Sequence, residues 1–278
     1  MHEVRDCETR TTKPTFSVLG VRVFGIQIDD TVAQMESWIR TCERGRFIAF
    51  TGMHGVSEAQ QDPHLRDILN TADLVVPDGM PLVWLARLHG IALKRRVYGP
   101  ELMETFCRET GSRYRHFFYG GASGVAQRLA QSLQERFGIT VAGTYTPPFR
   151  ALTEEEEREV AVRVQDTAPD VLWVGLSTPK QERWMNEHRC RLAVPVMLGV
   201  GAAFDLNCGR LRRAPEWMRE NGLEWFFRLL VEPRRLWRRY LITIPNSFWS
   251  VLLELLRLRK LVSGDKMRSE IRRPEKTT

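Results

Sequence analysis

Short apolar runs alternate with amphipathic stretches along most of the chain. Runs near residues 47–51, 73–76, 115–119, 139–144, 171–175 and 195–199 read as strands, and the segments between them carry apolar side chains at helical spacing. Val171-Leu172-Trp173-Val174 is apolar at every position, the pattern of a strand buried on both faces of a parallel sheet. Strand–helix alternation of this kind predicts an α/β fold built on a doubly wound, mostly parallel, Rossmann-like sheet. Ahead of it, residues 16–28 read as two short strands, with Asp29 and Asp30 placed to cap a helix through about residue 43. Thr153 followed by four glutamates reads as another helix start, acids in its first turn.

The pattern changes from Trp217 onward, where strand signals stop. Residues 224–240 are dense in both aromatics and arginines, and residues 241–256 are amphipathic, edged by Arg257, Arg259 and Lys260. Tryptophan and phenylalanine beside a basic edge describe a helix lying in a membrane interface; packing on the sheet or on a partner subunit is the competing explanation. The chain therefore divides into a disordered start (1–14), an α/β core (15–222) and a basic, aromatic-rich helical appendage that docks on membrane (223–278).

Charge sharpens that division. The 278 residues sum to +7, yet residues 228–278 alone hold 13 Lys or Arg against 5 Asp or Glu, leaving the rest of the chain near neutral. A basic tail of this kind meets anionic lipid, nucleic acid or a phosphorylated ligand. Five cysteines (7, 42, 107, 190, 208) without a C-x-x-C pair fit reduced thiols rather than a disulfide framework or a zinc site. The polar N-terminus does not read as a signal peptide, and no apolar run reaches the ~20 residues needed to span a bilayer.

Candidate chemistry clusters where strands end, because ligands of open α/β sheets bind beyond the carboxyl edge. Asp78, in Pro77-Asp78-Gly79, is placed to take a proton from an attacking hydroxyl, or to cap a helix over residues 81–88. Thr51 and His54 sit on the Gly-rich turn of another strand end, Thr51 placed to contact a ligand hydroxyl or phosphate and His54 to act as acid, base or plain sugar contact, or both to serve a capped helix N-terminus. After Val171–Gly175, Thr178 reads as an N-cap and Pro179 as the first helical residue, which puts Lys180 and Gln181 at a helix start suited to anions. Gly120 and Gly121 close a strand–turn–helix unit that presents backbone N–H groups to phosphate or merely packs tightly. Their G-G-x-x-G spacing, and the lack of an acidic residue after the next strand, disfavour a nicotinamide or flavin dinucleotide, so no cofactor is expected. Asp205 follows a further strand end, as a hydroxyl ligand or a turn residue. There is no D-x-D triplet and no His/Asp cluster at metal spacing, so no metal site is expected. A departing phosphate would then be stabilised by side chains. Arg228, Arg235 and Arg238 share one helical face if the helix runs through Pro233 or restarts there.

Taken together, these segments resemble the WecG/TagA/CpsF family of bacterial glycosyltransferases (glycosyltransferase family 26) over residues 20–242. The resemblance rests on Pro77-Asp78-Gly79, Tyr98-Gly99-Pro100-Glu101-Leu102, Phe118-Tyr119-Gly120-Gly121, Gly175-Leu-Ser-Thr-Pro-Lys-Gln-Glu182, Gly199-Val-Gly-Ala-Ala-Phe-Asp205 and Arg213-Ala-Pro-Glu-Trp217, and continues through Gly222-Leu-Glu-Trp225 and the arginines of the appendage. It implies an inverting, metal-independent transfer of a sugar from a UDP-sugar donor to a polyprenyl-diphosphate-linked sugar acceptor, at the cytoplasmic face of the membrane, in polysaccharide or exopolysaccharide synthesis. It further implies Asp78 as general base, Thr51 and Gln181 as substrate contacts, and Arg228, Arg235 and Arg238 over the diphosphate. Many members carry asparagine in the turn after the threonine, where this chain has Gly52-Met53-His54. The donor sugar stays open among N-acetylmannosamine, glucose and related hexoses.

Two non-catalytic alternatives remain, a membrane scaffold and a nucleic-acid-binding protein. The near-neutral body and the absence of an RNA- or DNA-reading motif speak against nucleic acid. The apolar tail and an open sheet edge leave room for self-association into a homo-oligomer.

Overall fold

The computed structural model describes residues 13–238. A hairpin of β1 (Thr15–Val18) and β2 (Val21–Phe24) leads into α1 (Ile28–Arg40). Then follow β3 (Arg46–Thr51), α2 (Met53–Gln61), α3 (Pro63–Thr71), β4 (Leu74–Pro77), α4 (Met80–Leu88) and α5 (Gly99–Thr110). The second half contains β5 (Arg115–Gly120), α6 (Val125–Phe137), β6 (Thr140–Tyr145), α7 (Glu154–Thr167), β7 (Val171–Gly175), α8 (Lys180–Leu192) and β8 (Val196–Gly199). Four short helices end the described chain: α9 (Ala203–Asn207), α10 (Glu216–Glu220), α11 (Glu224–Val231) and α12 (Pro233–Arg238).

The six long-range strands form one sheet in the order β4-β3-β8-β7-β5-β6, with every neighbouring pair parallel. Alternation along the strands shows why the runs are apolar at every position. Phe47 and Ala49 enter one core while Ile48 and Phe50 enter another; Leu172 and Val174 oppose Val171 and Trp173 in the same way. Residues from α2, α3, α4, α7 and α8 cover the first face, and residues from α1, α5, α6 and α9 cover the second. Helices on both faces of a parallel sheet are the doubly wound α/β architecture expected from the pattern, and each of the six anticipated sheet strands lies within a residue or so of its observed bounds, whereas the leading hairpin, anticipated over 16–28, ends at Phe24.

Three helix starts differ from the expected capping. α1 begins at Ile28 after Gln27, without a side-chain cap, because Ile28 is drawn into the second core; Asp30 pairs instead with Lys13 at 2.6 Å. α4 begins at Met80 behind Gly79, so Asp78 is not a cap. α8 begins at Lys180 behind Pro179, and the Thr178 hydroxyl turns to Glu182 Oε1 at 2.8 Å. The Thr153 start is as expected, a full capping box with Glu156.

α11 and α12 bear out a helical start to the appendage, the helix stopping at Val231 and restarting at Pro233. The disorder anticipated for residues 1–14 falls, but for its last two residues, outside the described residues. So does the amphipathic, basic segment beyond residue 238. No helix among the described residues is long and apolar enough to cross a membrane.

Candidate active site

A cavity of about 580 Å³ opens at the carboxyl edge of β4, β3, β8 and β7. β3 runs outward to β4 through α2 and α3, whereas β8 arrives from β7 on the other side. The cavity therefore lies at the point where the winding reverses, the usual ligand position of such sheets. The turn after β3, the Asp78 turn, the Ser177–Gln181 segment and the loop after β8 line it, and α11 contributes Glu224, Trp225 and Arg228.

Asp78 follows the last residue of β4, and its N–H donates to Thr51 O at 2.8 Å, extending the pairing of Thr51 with Pro77. This holds the carboxyl group at the cavity wall. Its Oδ1 is shielded from solvent and has no hydrogen-bond partner. Burial pushes the Asp78 carboxyl up to about 6, opposed by the charge of Arg96, reinforced by that of Glu224, and opposed again by the Gly99 N–H and Arg228. A carboxyl with that proton affinity, in a cleft, is suited to act as a general base near neutral pH.

Gln181 is the second expected residue at the cavity. Its Nε2 donates to Gly199 O at 2.7 Å and to Glu182 Oε1 at 3.0 Å. Both partners are acceptors, which fixes the amide orientation and leaves Gln181 Oε1, buried and unpartnered, as the unused acceptor. Gly199 permits this arrangement, since a Cβ there would come within 2.7 Å of Met185 and 3.1 Å of Gln181. Glu182 is fully buried, and burial raises its carboxyl. His54 lines the same cavity on α2, 3.8 Å from Glu58. Arg228 also lines it.

The remaining expected residues lie elsewhere. Thr51 is buried behind the cavity wall, its unpartnered hydroxyl directed to Gly55, where a Cβ would approach it to 2.9 Å. Gly120 and Gly121 are not at the cavity; the Gly121 N–H is used by Gly175 O at 3.0 Å, so this turn serves the packing of β5 on β7. Lys180 is exposed and outside the lining. Asp205 accepts from Arg210 at 3.3 Å and is likewise away from the cavity. Arg235 and Arg238 fall on α12, and their side chains lie outside the described ones. Among the described residues, no group of three or more His, Cys, Asp and Glu side chains could hold a metal ion.

Sequence reasoning passed over Arg96 and Glu224. Arg96 is ion-paired to Glu224, its guanidinium stacked 4.2 Å above the Tyr98 ring, and Tyr98 donates to Glu224 Oε1 at 2.7 Å. A glutamate heading an aromatic-rich segment was the available signal. Its partners are too distant in sequence for any local pattern to join them.

Comparison with known proteins places the chain in a family. The model of the glycosyl transferase WecG/TagA/CpsF family matches residues 16–261. A protein of Bacillus spizizenii strain W23 named N-acetylglucosaminyldiphosphoundecaprenol N-acetyl-beta-D-mannosaminyltransferase is 31% identical, over 81% of this chain and 86% of its own length. Proteins of the same name from Bacillus subtilis strain 168 (29% identical; 70% of this chain, 75% of its own) and Staphylococcus aureus strain MRSA252 (27%; 86% and 95%) are also similar. With the fold, the cavity and a match across most of its length, the chain belongs to the WecG/TagA/CpsF family of glycosyltransferases.

Proposed function

We propose that this glycosyltransferase moves a hexose, with inversion, from a UDP-sugar to a sugar carried on a polyprenyl diphosphate, using Asp78 as general base. The observation that carries the reading is Asp78 itself, a carboxyl with an unpartnered oxygen and an affinity for protons near neutrality, at the wall of a cavity large enough for a nucleotide sugar. The relatives' names specify an undecaprenyl-diphosphate-linked N-acetylglucosamine as acceptor and N-acetylmannosamine as the sugar moved. N-acetylmannosamine heads the candidates for the donor here, with glucose or a related hexose behind it.

In this reaction the acceptor hydroxyl oxygen attacks the anomeric carbon from the face opposite the nucleotide. The new C–O bond forms as the bond to the diphosphate breaks. Asp78 takes the hydroxyl proton, and the electron pair leaves with UDP. Arg228 at the cavity, joined by Arg235 and Arg238 from α12, offsets charge growing on the diphosphate, with no divalent ion required. Gln181 Oε1 accepts from a substrate hydroxyl or amide.

The partner membrane is anionic and the enzyme peripheral on its inner face. Trp217, Trp225, Phe226 and Leu230 are exposed on α10 and α11, and the sequence that follows them is rich in Lys and Arg. The test is UDP release across a panel of UDP-sugars, with and without a short-chain lipid-diphosphate-sugar and with EDTA present. Acceptor-dependent release with one donor is the expected result; no release with any donor rejects the reading.

A further inference from the structure

Arg96 lies between two carboxylates that compete for it. It follows α4, and its Nη1 lies 3.4 Å from the main-chain oxygen of Asp78, so its charge bears on the Asp78 carboxyl group. In a cleft shielded from water, a guanidinium so near a carboxylate is expected to close on it as a bidentate pair. That pair is not formed, and Asp78 Oδ1 has no partner. Arg96 Nη2 is given instead to Glu224, a buried residue in the first turn of α11. The Tyr98 ring beneath the guanidinium and the Tyr98 hydroxyl on Glu224 Oε1 hold the arrangement on its remaining sides.

We propose that Glu224 is a positioning residue for the base: by claiming Arg96, it keeps the guanidinium from closing onto the Asp78 carboxylate and leaves Oδ1 unpaired for the proton of an acceptor hydroxyl. The inference rests on the reading of Asp78 as base. Glu224 also acts on Asp78 through space, because a second negative charge disfavours ionisation of the first. The charged and polar groups facing Asp78 are Arg96 from the α4–α5 connection, the Gly99 N–H at the start of α5, and Glu224 and Arg228 from α11. His54 on α2 lines the same cavity. Tyr98 stays a neutral donor, its phenol pushed far above the usual range by burial and by Glu224. Without the Glu224 charge, Arg96 turns to Asp78, and the base is both weaker and blocked.

The test follows the titration of Asp78 directly, by NMR of protein carrying 13C-labelled aspartate, with its signal identified by its loss in Asp78→Asn. No substrate is needed. The wild-type midpoint is expected at about 6. Glu224→Gln is expected to move it down, and Arg96→Gln to move it up. In turnover assays Glu224→Gln is expected to lower kcat about tenfold or more, a partial loss of the about 10²–10⁴-fold that a general base contributes, with the donor KM little changed. Adding Arg96→Gln to Glu224→Gln is expected to recover part of that loss, which a packing role for Glu224 would not allow. An unmoved midpoint in Glu224→Gln, shifts of the same sign in both single variants, or a double variant no better than Glu224→Gln would overturn the proposal. Because the two single variants read the same competition with opposite signs, misfolding of one leaves the other decisive. If the opposite shifts appear while the wild type releases no UDP, the Glu224–Arg96–Asp78 relation stands and the transferase reading fails.

Discussion

Tyr98 and Glu224 stand 126 residues apart in the chain and share a 2.7 Å hydrogen bond inside the protein. Tyr98 immediately precedes α5, and Glu224 opens α11, so the bond ties the first helix of the appendage to the wall of the cavity. Tyr98→Phe keeps the ring under Arg96 but takes a donor from a buried carboxylate. The expected cost is about 1–3 kcal/mol, measured as a lower urea midpoint at unchanged slope.

Asp78→Asn separates chemistry from binding. The amide cannot take the acceptor proton, so kcat is expected to fall by about 10²–10⁴-fold, while affinity for UDP-sugar measured by calorimetry stays within a few-fold of wild type. Near-wild-type turnover would remove Asp78 from the reaction.

The same carboxyl predicts two pH dependences. Its folded value of about 6 lies above the ordinary 3.8, so the folded state holds this proton more tightly than the unfolded chain does. Its contribution to stability is present below about 3.8 and is lost as pH rises through about 6. At pH 8 wild type therefore carries a penalty of up to about 3 kcal/mol that Asp78→Asn lacks, by the usual conversion of pH units to energy. Urea unfolding at pH 8 is expected to show the inactive variant as the more stable protein. Activity runs the other way, since the ionised base is needed, and kcat/KM is expected to fall with acid below about pH 6.

Gln181→Leu removes the unpartnered acceptor at nearly constant volume. A substrate hydroxyl or amide that donates to Gln181 Oε1 would then be left unpaired in the cavity. The expected result is a KM raised by about tenfold for whichever substrate makes the bond, read by varying donor and acceptor separately.

Gly120 and Gly124 both have positive φ, 121° and 74°, but differ in surroundings. A Cβ on Gly120 would sit 2.6 Å from the Gly175 carbonyl, whereas Gly124 faces open space. Gly120→Ala is expected to cost more than about 3 kcal/mol and Gly124→Ala about 1 kcal/mol, compared by thermal unfolding. The turn read as a phosphate cradle would then show itself as a packing device.

Much of the architecture was legible because it is repetitive. Fully buried parallel strands have no solvent face, so Val171-Leu172-Trp173-Val174 and Phe47-Ile48-Ala49-Phe50 announce themselves by composition alone. The capping of α7 was legible too, since Thr153 and Glu156 act across a single turn. The starts of α1, α4 and α8 were not, because each polar side chain near them had a stronger use elsewhere. Asp30 found Lys13, Thr178 found Glu182, and Asp78 was drawn to the cavity wall.

By itself the sequence determined the fold class, the order of the strands along the chain, the basic end and the place of Asp78 and Gln181 at strand ends. These follow from local periodicity and from the rule that loops at the carboxyl edge carry the ligand site. Only the tertiary structure decided which strand ends meet. It brought Asp78, Gln181, His54 and Arg228 to one cavity and left Thr51, Gly120, Gly121, Lys180 and Asp205 off its wall. It also supplied Arg96 and Glu224, whose ion pair joins segments 128 residues apart. The physical reason is that backbone periodicity is a short-range property, whereas the proton affinity of a buried carboxyl depends on every charge near it in space.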